Sequence, residues 1–147
     1  MRFMVIVKAN AESEAGKLPS PQLMAEMSRF NVEMQQAGVV KLAEGLQPSS
    51  KGARIRLSQG MAPRVIDGPF AETKELVAGF WLIEVASREE AIEWMKRCPP
   101  PHGTTPGESC EIEIRPLWEM EDLGEAFSPE ARANQKRQRE ELANRQK

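Results

Sequence analysis

The chain has 147 residues, of which 29% are charged and 40% hydrophobic, and this composition is typical of one compact domain with a short extension rather than of two domains. Its formal net charge of -2 predicts neither affinity for nucleic acid nor attraction to an anionic membrane. No window approaches the roughly 18 consecutive apolar residues of a membrane span, and the N-terminal MRFMVIVKA is too short for a signal peptide. We therefore expect a cytoplasmic protein whose two cysteines are reduced.

The first predicted elements are a strand, a helix and a second strand. Residues 2–8 (RFMVIVK) indicate a strand with apolar side chains on both faces, and a polar loop follows. Ser20 and Pro21 fit an N-cap and a first helical position. Apolar residues then recur at helical spacing before Gly38: Leu23, Met27, Phe30 and Met34. Residues 39–42 predict the second strand.

The middle of the chain predicts a β-hairpin and a central strand. Polar and apolar side chains alternate in residues 54–58, and Gln59-Gly60 separates this strand from a partner at residues 64–66. Residues 79–85 (GFWLIEV) are the most hydrophobic run and predict a strand that is apolar on both faces until Glu84.

A second helix and a last strand complete the body. Ser87 and Glu90 have capping-box spacing, and we expect the helix that they open to stop before Pro99. Residues 111–115 alternate between charged and apolar side chains and predict a half-buried strand. The order β-α-β, β-hairpin, β-α-β predicts an α+β, ferredoxin-like sheet with both helices on one face.

Two helices cover only one side of such a sheet, yet the strands at 2–8 and 79–85 carry large apolar groups in both directions. An open second face would exceed the few hundred Å² of apolar patch that soluble monomers normally expose. Burying it in a symmetric dimer contributes on the order of ten kcal/mol before association costs, at roughly 25 cal/mol per Å². We therefore predict a homodimer that packs sheet to sheet.

A long motif resembles a known family. The segment DGPFAETKE at residues 67–75, followed by GFWLI at 79–83, resembles the signature of the DGPF branch of the YCII-related proteins. Supporting matches are EGL at 44–46, AIEW at 91–94, CP at 98–99 and IEIRP at 112–116. Together they cover residues 1–117 and leave 118–147 as a polar, basic extension.

The resemblance implies a dimeric α+β barrel, a small-molecule-binding or enzymatic role, and association with an extracytoplasmic-function sigma factor. Resemblance to YCII relatives outside this branch would imply a histidine on the first helix that is paired with an aspartate. Residues 21–37 contain no histidine here, so that pair does not carry over.

The turn at residues 67–70 is the candidate site. Asp67 is the candidate for proton transfer at the mouth of a cleft beside Glu72 and Lys74, where burial or a neighbouring charge tunes a carboxyl pKa. The turn residues predicted to bind the ligand are Gly68, Pro69 and Phe70. A structural role explains the same turn, since Asp accepts backbone N–H bonds, Pro fixes φ and Phe anchors the turn in the core.

Three further residues are candidates. His102, the sole histidine, is the second catalytic candidate because its ordinary pKa lies near neutrality. The alternative is a solvated residue in a loop rich in proline and glycine. Arg54 and Arg56 project from one face of their strand and either bind a carboxylate or phosphate of the ligand or form a solvated face.

No metal or cofactor is predicted. Cys98, His102, Glu108 and Cys110 have ligand chemistry for zinc, but they lack a C-x-x-C pair and the segment between the cysteines is rich in proline. No Walker, dinucleotide-binding or nucleophile-elbow motif occurs.

The C-terminal segment differs from the body. Residues 128–147 carry six basic and three acidic side chains, and Ser128-Pro129 resembles a helix start. Apolar residues are too few to bury a face, which predicts a frayed helix or a disordered arm. Two hypotheses follow for the whole chain. One is a homodimer that binds a small molecule in a cleft between each sheet and helix pair or at the dimer seam, with enzymatic activity near Asp67. The other is a non-catalytic regulatory module that contacts a sigma factor.

Overall fold

A computed structural model of the protein describes residues 1–72, 75–100, 109–124 and 127–145. The chain divides into two compact units, Met1–Pro116 and Leu117–Lys147. The strands described in the first unit are β1 (Arg2–Lys8), β2 (Val40–Gly45), β3 (Ala53–Arg56), β4 (Arg64–Asp67), β5 (Val77–Glu84) and β6 (Ile112–Pro116). Its helices are α1 (Ala11–Glu14), α2 (Pro21–Gln36) and α3 (Arg88–Lys96), with a 3-10 turn at Ser49–Lys51. The second unit contains α4 (Pro129–Arg145).

The main sheet has four antiparallel strands in the order β2-β5-β1-β6. β3 and β4 pair with each other as a separate hairpin, inserted in the chain between β2 and β5. Helices occupy the connection from β1 to β2 and the connection from β5 to β6. This arrangement confirms the predicted α+β, ferredoxin-like fold class.

Alternation along β1 and β5 directs one set of side chains toward the helices. Phe3, Val5 and Val7 of β1 and Trp81 and Ile83 of β5 are buried. They form one cluster with buried helix residues, which are Phe30, Met34, Ala91 and Met95. Both α2 and α3 therefore pack on the same face of the sheet, as predicted.

Side-chain caps fix where these two helices begin. Ser20 Oγ accepts a hydrogen bond from Leu23 N (3.2 Å), and Ser87 Oγ accepts one from Glu90 N (3.1 Å). Both starts agree with the prediction. The capping box differs in one detail, because the Glu90 carboxylate accepts its bond from Ala86 N (2.8 Å) rather than from the N-cap residue.

The segment between β1 and α2 is more ordered than predicted. A polar loop was expected there, but α1 forms one helical turn with a reciprocal cap, in which Ser13 N donates to Asn10 Oδ1 and Asn10 N donates to Ser13 Oγ, both at 2.9 Å. The prediction of a polar loop did not include this helical turn, because an Asn-x-x-Ser cap followed by no apolar repeat carries little signal in the sequence.

The second face of the main sheet carries apolar side chains that point away from α2 and α3. Met4 and Ile6 of β1 lie opposite Leu82 and Phe80 of β5, and all four are half-buried. Leu42 of β2 lies opposite Leu82 and is 45% exposed. We call this surface the open sheet face.

The second unit begins with a segment that is tied to its own helix. Ser128 Oγ accepts a hydrogen bond from Ala131 N (3.2 Å), which places the helix start where the sequence predicted it. The Arg132 guanidinium donates to the carbonyl oxygens of Met120 (3.1 Å) and Phe127 (3.0 Å). Among the described residues, no helix combines the length and apolar character that crossing a membrane requires.

Candidate functional site

A cavity of about 470 Å³ lies between α2 and the end of the sheet where β2 and β5 meet. The apolar residues that line it include Val7, Leu18, Met24, Met27, Phe80 and Trp81. Its polar lining residues include Ser13, Lys17, Asn31, Glu44 and Gln47. The volume falls within the range of small-molecule sites, roughly 300–1,000 Å³.

Paired glycines form part of the cavity wall. Gly45 of β2 lies opposite Gly79 of β5, two residues along from the pair of Ala43 and Trp81. A Cβ at Gly45 would meet no atom within 4 Å, so this position borders open space. A Cβ at Gly79 would lie 3.0 Å from the Glu44 carbonyl oxygen, so the approach of the two backbones favours glycine there. The small residues at this end of the sheet leave room that side chains fill elsewhere.

Asn31 brings a polar group to the α2 wall of the cavity. It follows Met27 by one helical turn and is half-buried. Asn31 Oδ1 accepts a hydrogen bond from Trp81 Nε1 at 2.8 Å. Trp81 is only 4% exposed and meets Phe30 edge to face, with ring centroids 6.4 Å apart. The indole is therefore held by packing on one side and by the amide on the other.

A set of hydrogen bonds that we call the Ser49 clamp joins Glu14, Ser49 and Phe70. The Glu14 carboxylate accepts bonds from Ser49 N, at 3.2 Å to each oxygen, and from Ser49 Oγ. Ser49 Oγ accepts a bond from Phe70 N at 3.1 Å. Since Ser13 and Pro48 line the cavity and are chain neighbours of Glu14 and Ser49, the clamp ties the turn at residues 67–70 to two cavity walls.

Gly68 packs directly against the backbone of this clamp. Gly68 N donates to the Gly52 carbonyl oxygen at 3.0 Å. A Cβ at Gly68 would lie 1.8 Å from the Ser49 carbonyl oxygen, a distance that no side chain tolerates. This close approach gives the glycine of the turn a structural role.

The other candidate residues of the turn and hairpin lie at the surface. Asp67 ends β4 and is exposed, and Pro69 and Glu72 are exposed as well. The Arg54 guanidinium lies over the Phe70 ring, 4.0 Å from its centroid. Arg56 lies opposite Arg64 in the hairpin and is also exposed.

The structure therefore brings Arg54 and Phe70 together. None of the described candidate residues (Arg54, Arg56, Asp67, Gly68, Pro69, Phe70 and Glu72) is among those that line the cavity. Lys74 and His102 lie outside the described residues.

The two cysteines are free thiols. Burial, with a smaller contribution from nearby Cys110, raises the pKa of Cys98 to about 12, and burial also raises the pKa of Cys110. A raised thiol pKa disfavours the thiolate that metal ligation and nucleophilic attack require. His102 and Glu108, the two other residues with ligand chemistry for zinc, lie outside the described residues. Within the described ranges, no group of three or more His, Cys, Asp and Glu residues could hold a metal ion.

Ion pairs border the open sheet face. Lys8 Nζ lies 2.8 Å from Glu113 Oε2, and Lys41 Nζ lies 3.0 Å from Glu84 Oε2. The hydrogen bond from each lysine, with its charge, lowers the pKa of the Glu113 and Glu84 carboxyls. The Lys41–Glu84 pair is exposed and the Lys8–Glu113 pair is partly exposed, so the contribution of each pair to the free energy of unfolding is small.

Sequence reasoning missed the residues that line the cavity and those that form the clamp. The only signal for Asn31 was a polar residue at a core-facing helical position, four residues after Met27 and three before the buried Met34. Gly45 and Gly79 are 34 positions apart in the chain, and their pairing depends on the register of β2 with β5. Glu14 and Ser49 meet across a similar separation, so neither pair has a local motif.

The fold and the site define a class: a ferredoxin-like α+β domain with a cavity of small-molecule size between its first long helix and its sheet. The family model of the YCII-related domain matches residues 1–120, and the chain belongs to this family. It is also 34% identical over 96 residues to an uncharacterized protein of Rhizobium meliloti (strain 1021), a match that covers 65% of this chain and 73% of the relative.

Proposed function

We propose that this protein binds a small, largely apolar molecule in the cavity between α2 and the β2–β5 end of the sheet. The observation that carries the proposal is the cavity itself, about 470 Å³ in volume and walled by strands, by α2 and by the segments that follow α1 and β2. Sites for small molecules are concave, mostly apolar and provided with a few polar groups that orient the ligand.

The distribution of charge supports a ligand whose inserted part is uncharged. The charged lining residues Lys17 and Glu44 are both exposed, and Lys17 pairs with Glu12 (2.5 Å). The more buried lining residues, such as Val7 and Trp81, are uncharged. Charge at the rim and apolar surface inside favour an apolar molecule that enters from solvent.

The Ser49 clamp supports a positioning role for the turn at residues 67–70. It connects the turn to the segments that carry Ser13 and Pro48, which are part of the cavity wall. Asp67 is outside that wall, so the proposed binding does not use its carboxylate.

The proposal includes a homodimer that packs through the open sheet face. Met4, Ile6, Phe80 and Leu82 form an apolar strip there, and Leu42 extends it onto β2. Acidic and basic side chains border the strip. In an isologous interface each contact occurs twice, so a basic side chain of one subunit that meets an acidic one of the other is matched by the reciprocal pair. Burial of the strip supplies the favourable free energy of association.

The test of binding is a cavity-filling variant. Gly45→Leu places a side chain into the cavity from a position where a Cβ meets nothing within 4 Å. The wild-type protein and the variant are screened by ligand-observed NMR against a panel of neutral aromatic fragments. We expect fragments that bind the wild type at millimolar concentration or below and lose binding to Gly45→Leu.

The matched control is Ala53→Leu, which adds the same side chain to exposed strand β3, away from the cavity walls. This control should keep the fragment binding of the wild type. Fragments that bind all three proteins equally, or no fragment binding at all, would contradict the proposed function.

A further inference from the structure

The side-chain amide of Asn31 uses its oxygen in a hydrogen bond within the protein, whereas its nitrogen has no described acceptor. Its Oδ1 accepts the hydrogen bond from Trp81 Nε1. The indole nitrogen only donates, so the oxygen of the amide must face Trp81 and the NH2 group must face away. Trp81 thereby sets the orientation of the amide.

The Nδ2 group of Asn31 donates to no acceptor in the part of the chain that the structure describes, and it is not among the buried unsatisfied polar atoms of that part. It is therefore accessible from open space. Asn31 lines the cavity, which makes Nδ2 a hydrogen-bond donor available to a molecule inside it.

We infer that Asn31 is a specificity-determining residue, and that the cavity selects a neutral, planar, largely apolar molecule with a hydrogen-bond acceptor oxygen, such as a ketone or quinone carbonyl, over its hydrocarbon counterpart. The inference rests on the proposed binding function and adds the class of ligand. An acceptor oxygen satisfies the N–H group that an apolar ligand would leave unpaired when it displaces water.

The shape of the wall agrees with a planar ligand. Trp81 presents an aromatic ring whose position is held by Asn31 and Phe30. Met24 and Met27 supply flexible thioether side chains from α2, which adapt to the edges of a ring. Gly45 leaves the backbone of β2 open to close approach.

The experiment compares α-tetralone with tetralin, which share a carbon skeleton and differ in one carbonyl oxygen. Dissociation constants of both are measured by NMR titration of wild-type protein, Asn31→Asp and the control Asn134→Asp. In Asn31→Asp a carboxylate still accepts the bond from Trp81 Nε1 but has no N–H to donate. We expect the ratio of the two dissociation constants to shift about tenfold against the ketone in Asn31→Asp, as the loss of one hydrogen bond predicts. Asn134 is an exposed residue of α4, and Asn134→Asp should leave the ratio unchanged.

A second measurement uses the wild-type protein alone and therefore does not depend on the folding of a variant. The side-chain amide resonances of Asn31 in the wild-type protein should move when α-tetralone is added and stay in place with tetralin. A ratio that does not change in Asn31→Asp, or unmoved amide resonances with bound ketone, overturns the assignment to Asn31. If both probes bind the wild-type protein but not the Gly45→Leu variant, the proposed function is still supported. Absence of binding by both probes to the wild-type protein overturns the ligand class, and the fragment panel then decides the binding function separately.

Discussion

Glycine serves two different purposes at Gly68 and Gly45. A Cβ at Gly68 would lie 1.8 Å from the Ser49 carbonyl oxygen, whereas a Cβ at Gly45 would meet nothing within 4 Å. We expect Gly68→Ala to lower the free energy of unfolding by roughly 2 kcal/mol or more, because the turn and the Ser49 backbone must move apart. The matched variant Gly45→Ala should change it by less than about 1 kcal/mol, with a gain favoured by the reduced entropy of the unfolded chain. Urea unfolding followed by circular dichroism measures both, and equal effects of the two variants would contradict the close approach at Gly68.

Substitution of Asp67 tests whether the stability of the turn at residues 67–70 depends on a carboxylate. The residue is exposed at the end of β4, so Asp67→Asn should alter the free energy of unfolding by less than about 0.5 kcal/mol. Thermal and urea unfolding of the variant check this. A loss several times larger would mean that the carboxylate itself accepts the backbone bonds that order the turn.

The buried thiol of Cys98 makes stability depend on pH on the alkaline side. Its pKa is raised to about 12 in the folded protein, against an ordinary value of about 8.5 in an unfolded chain. Below about pH 8.5 both states hold the proton, and between that pH and about 12 the unfolded chain loses it while the folded protein keeps it. The contribution of this group to stability is therefore fully present below pH 8.5 and declines as the pH rises.

This dependence is measured by urea unfolding at pH 8 and pH 10.5 for the wild type and Cys98→Ala. The chain contains no tyrosine, and the lysines and Cys110 that titrate in this window are common to both proteins, so the difference between the two proteins reports the Cys98 thiol. We expect a smaller loss of stability with pH in Cys98→Ala. Identical pH dependence in both proteins would argue against a buried thiol at this position.

The elements of the fold differ in how well the sequence predicts them. The starts of α2 and α3 were predictable because Ser20 and Ser87 sit directly before apolar residues at helical spacing. The hairpin of β3 and β4 was predictable from strict alternation around a glycine-containing turn. These are local signals, and they were enough to assign the ferredoxin-like order of elements.

The candidate site was much less predictable because it depends on pairs that are distant in the chain. Residues 67–75 stand out in the sequence as a motif. In the structure, the close contact within this motif is that of Gly68 with the backbone of Ser49. Asn31 and Trp81 are joined by a hydrogen bond that no spacing rule anticipates. A motif marks the residues that a fold requires, and tertiary contacts decide whether they bind, act or hold other groups in place.

The Ser49 clamp couples three elements and is open to a direct test. Ser49→Ala removes the hydroxyl that donates to Glu14 and accepts from Phe70 N. We expect a loss of about 1–3 kcal/mol in the free energy of unfolding, because the Phe70 N–H loses its acceptor in a partly buried position. Ser50→Ala, at the neighbouring exposed position, is the control and should cost less than about 0.5 kcal/mol. Equal stability of the two variants would show that the clamp does not hold the turn.

At the scale of the whole molecule, the sheet has one face that its helices cover and one that carries the strip of Met4, Ile6, Phe80, Leu82 and Leu42. The side chains on the covered face are the core of the subunit, so substitutions there destabilise the fold itself. Those on the open sheet face point away from α2 and α3. A charge placed there separates association from folding, which is what a test of the proposed dimer needs.

Leu82→Lys is the variant that makes this separation. Leu82 lies at the centre of the strip, opposite both Met4 and Leu42, and in a symmetric dimer two added ammonium groups would be buried near each other. We expect the wild type to sediment at micromolar concentration with twice the 16.5 kDa mass of the chain, and Leu82→Lys to sediment as a folded single chain. Val32→Lys is the control, since Val32 is an apolar residue of α2 that is 46% exposed, and it should leave the dimer intact. A wild-type protein that sediments as a single chain, or a Leu82→Lys variant that remains a dimer, would exclude sheet-to-sheet association, because neither result is compatible with burial of this strip between two copies.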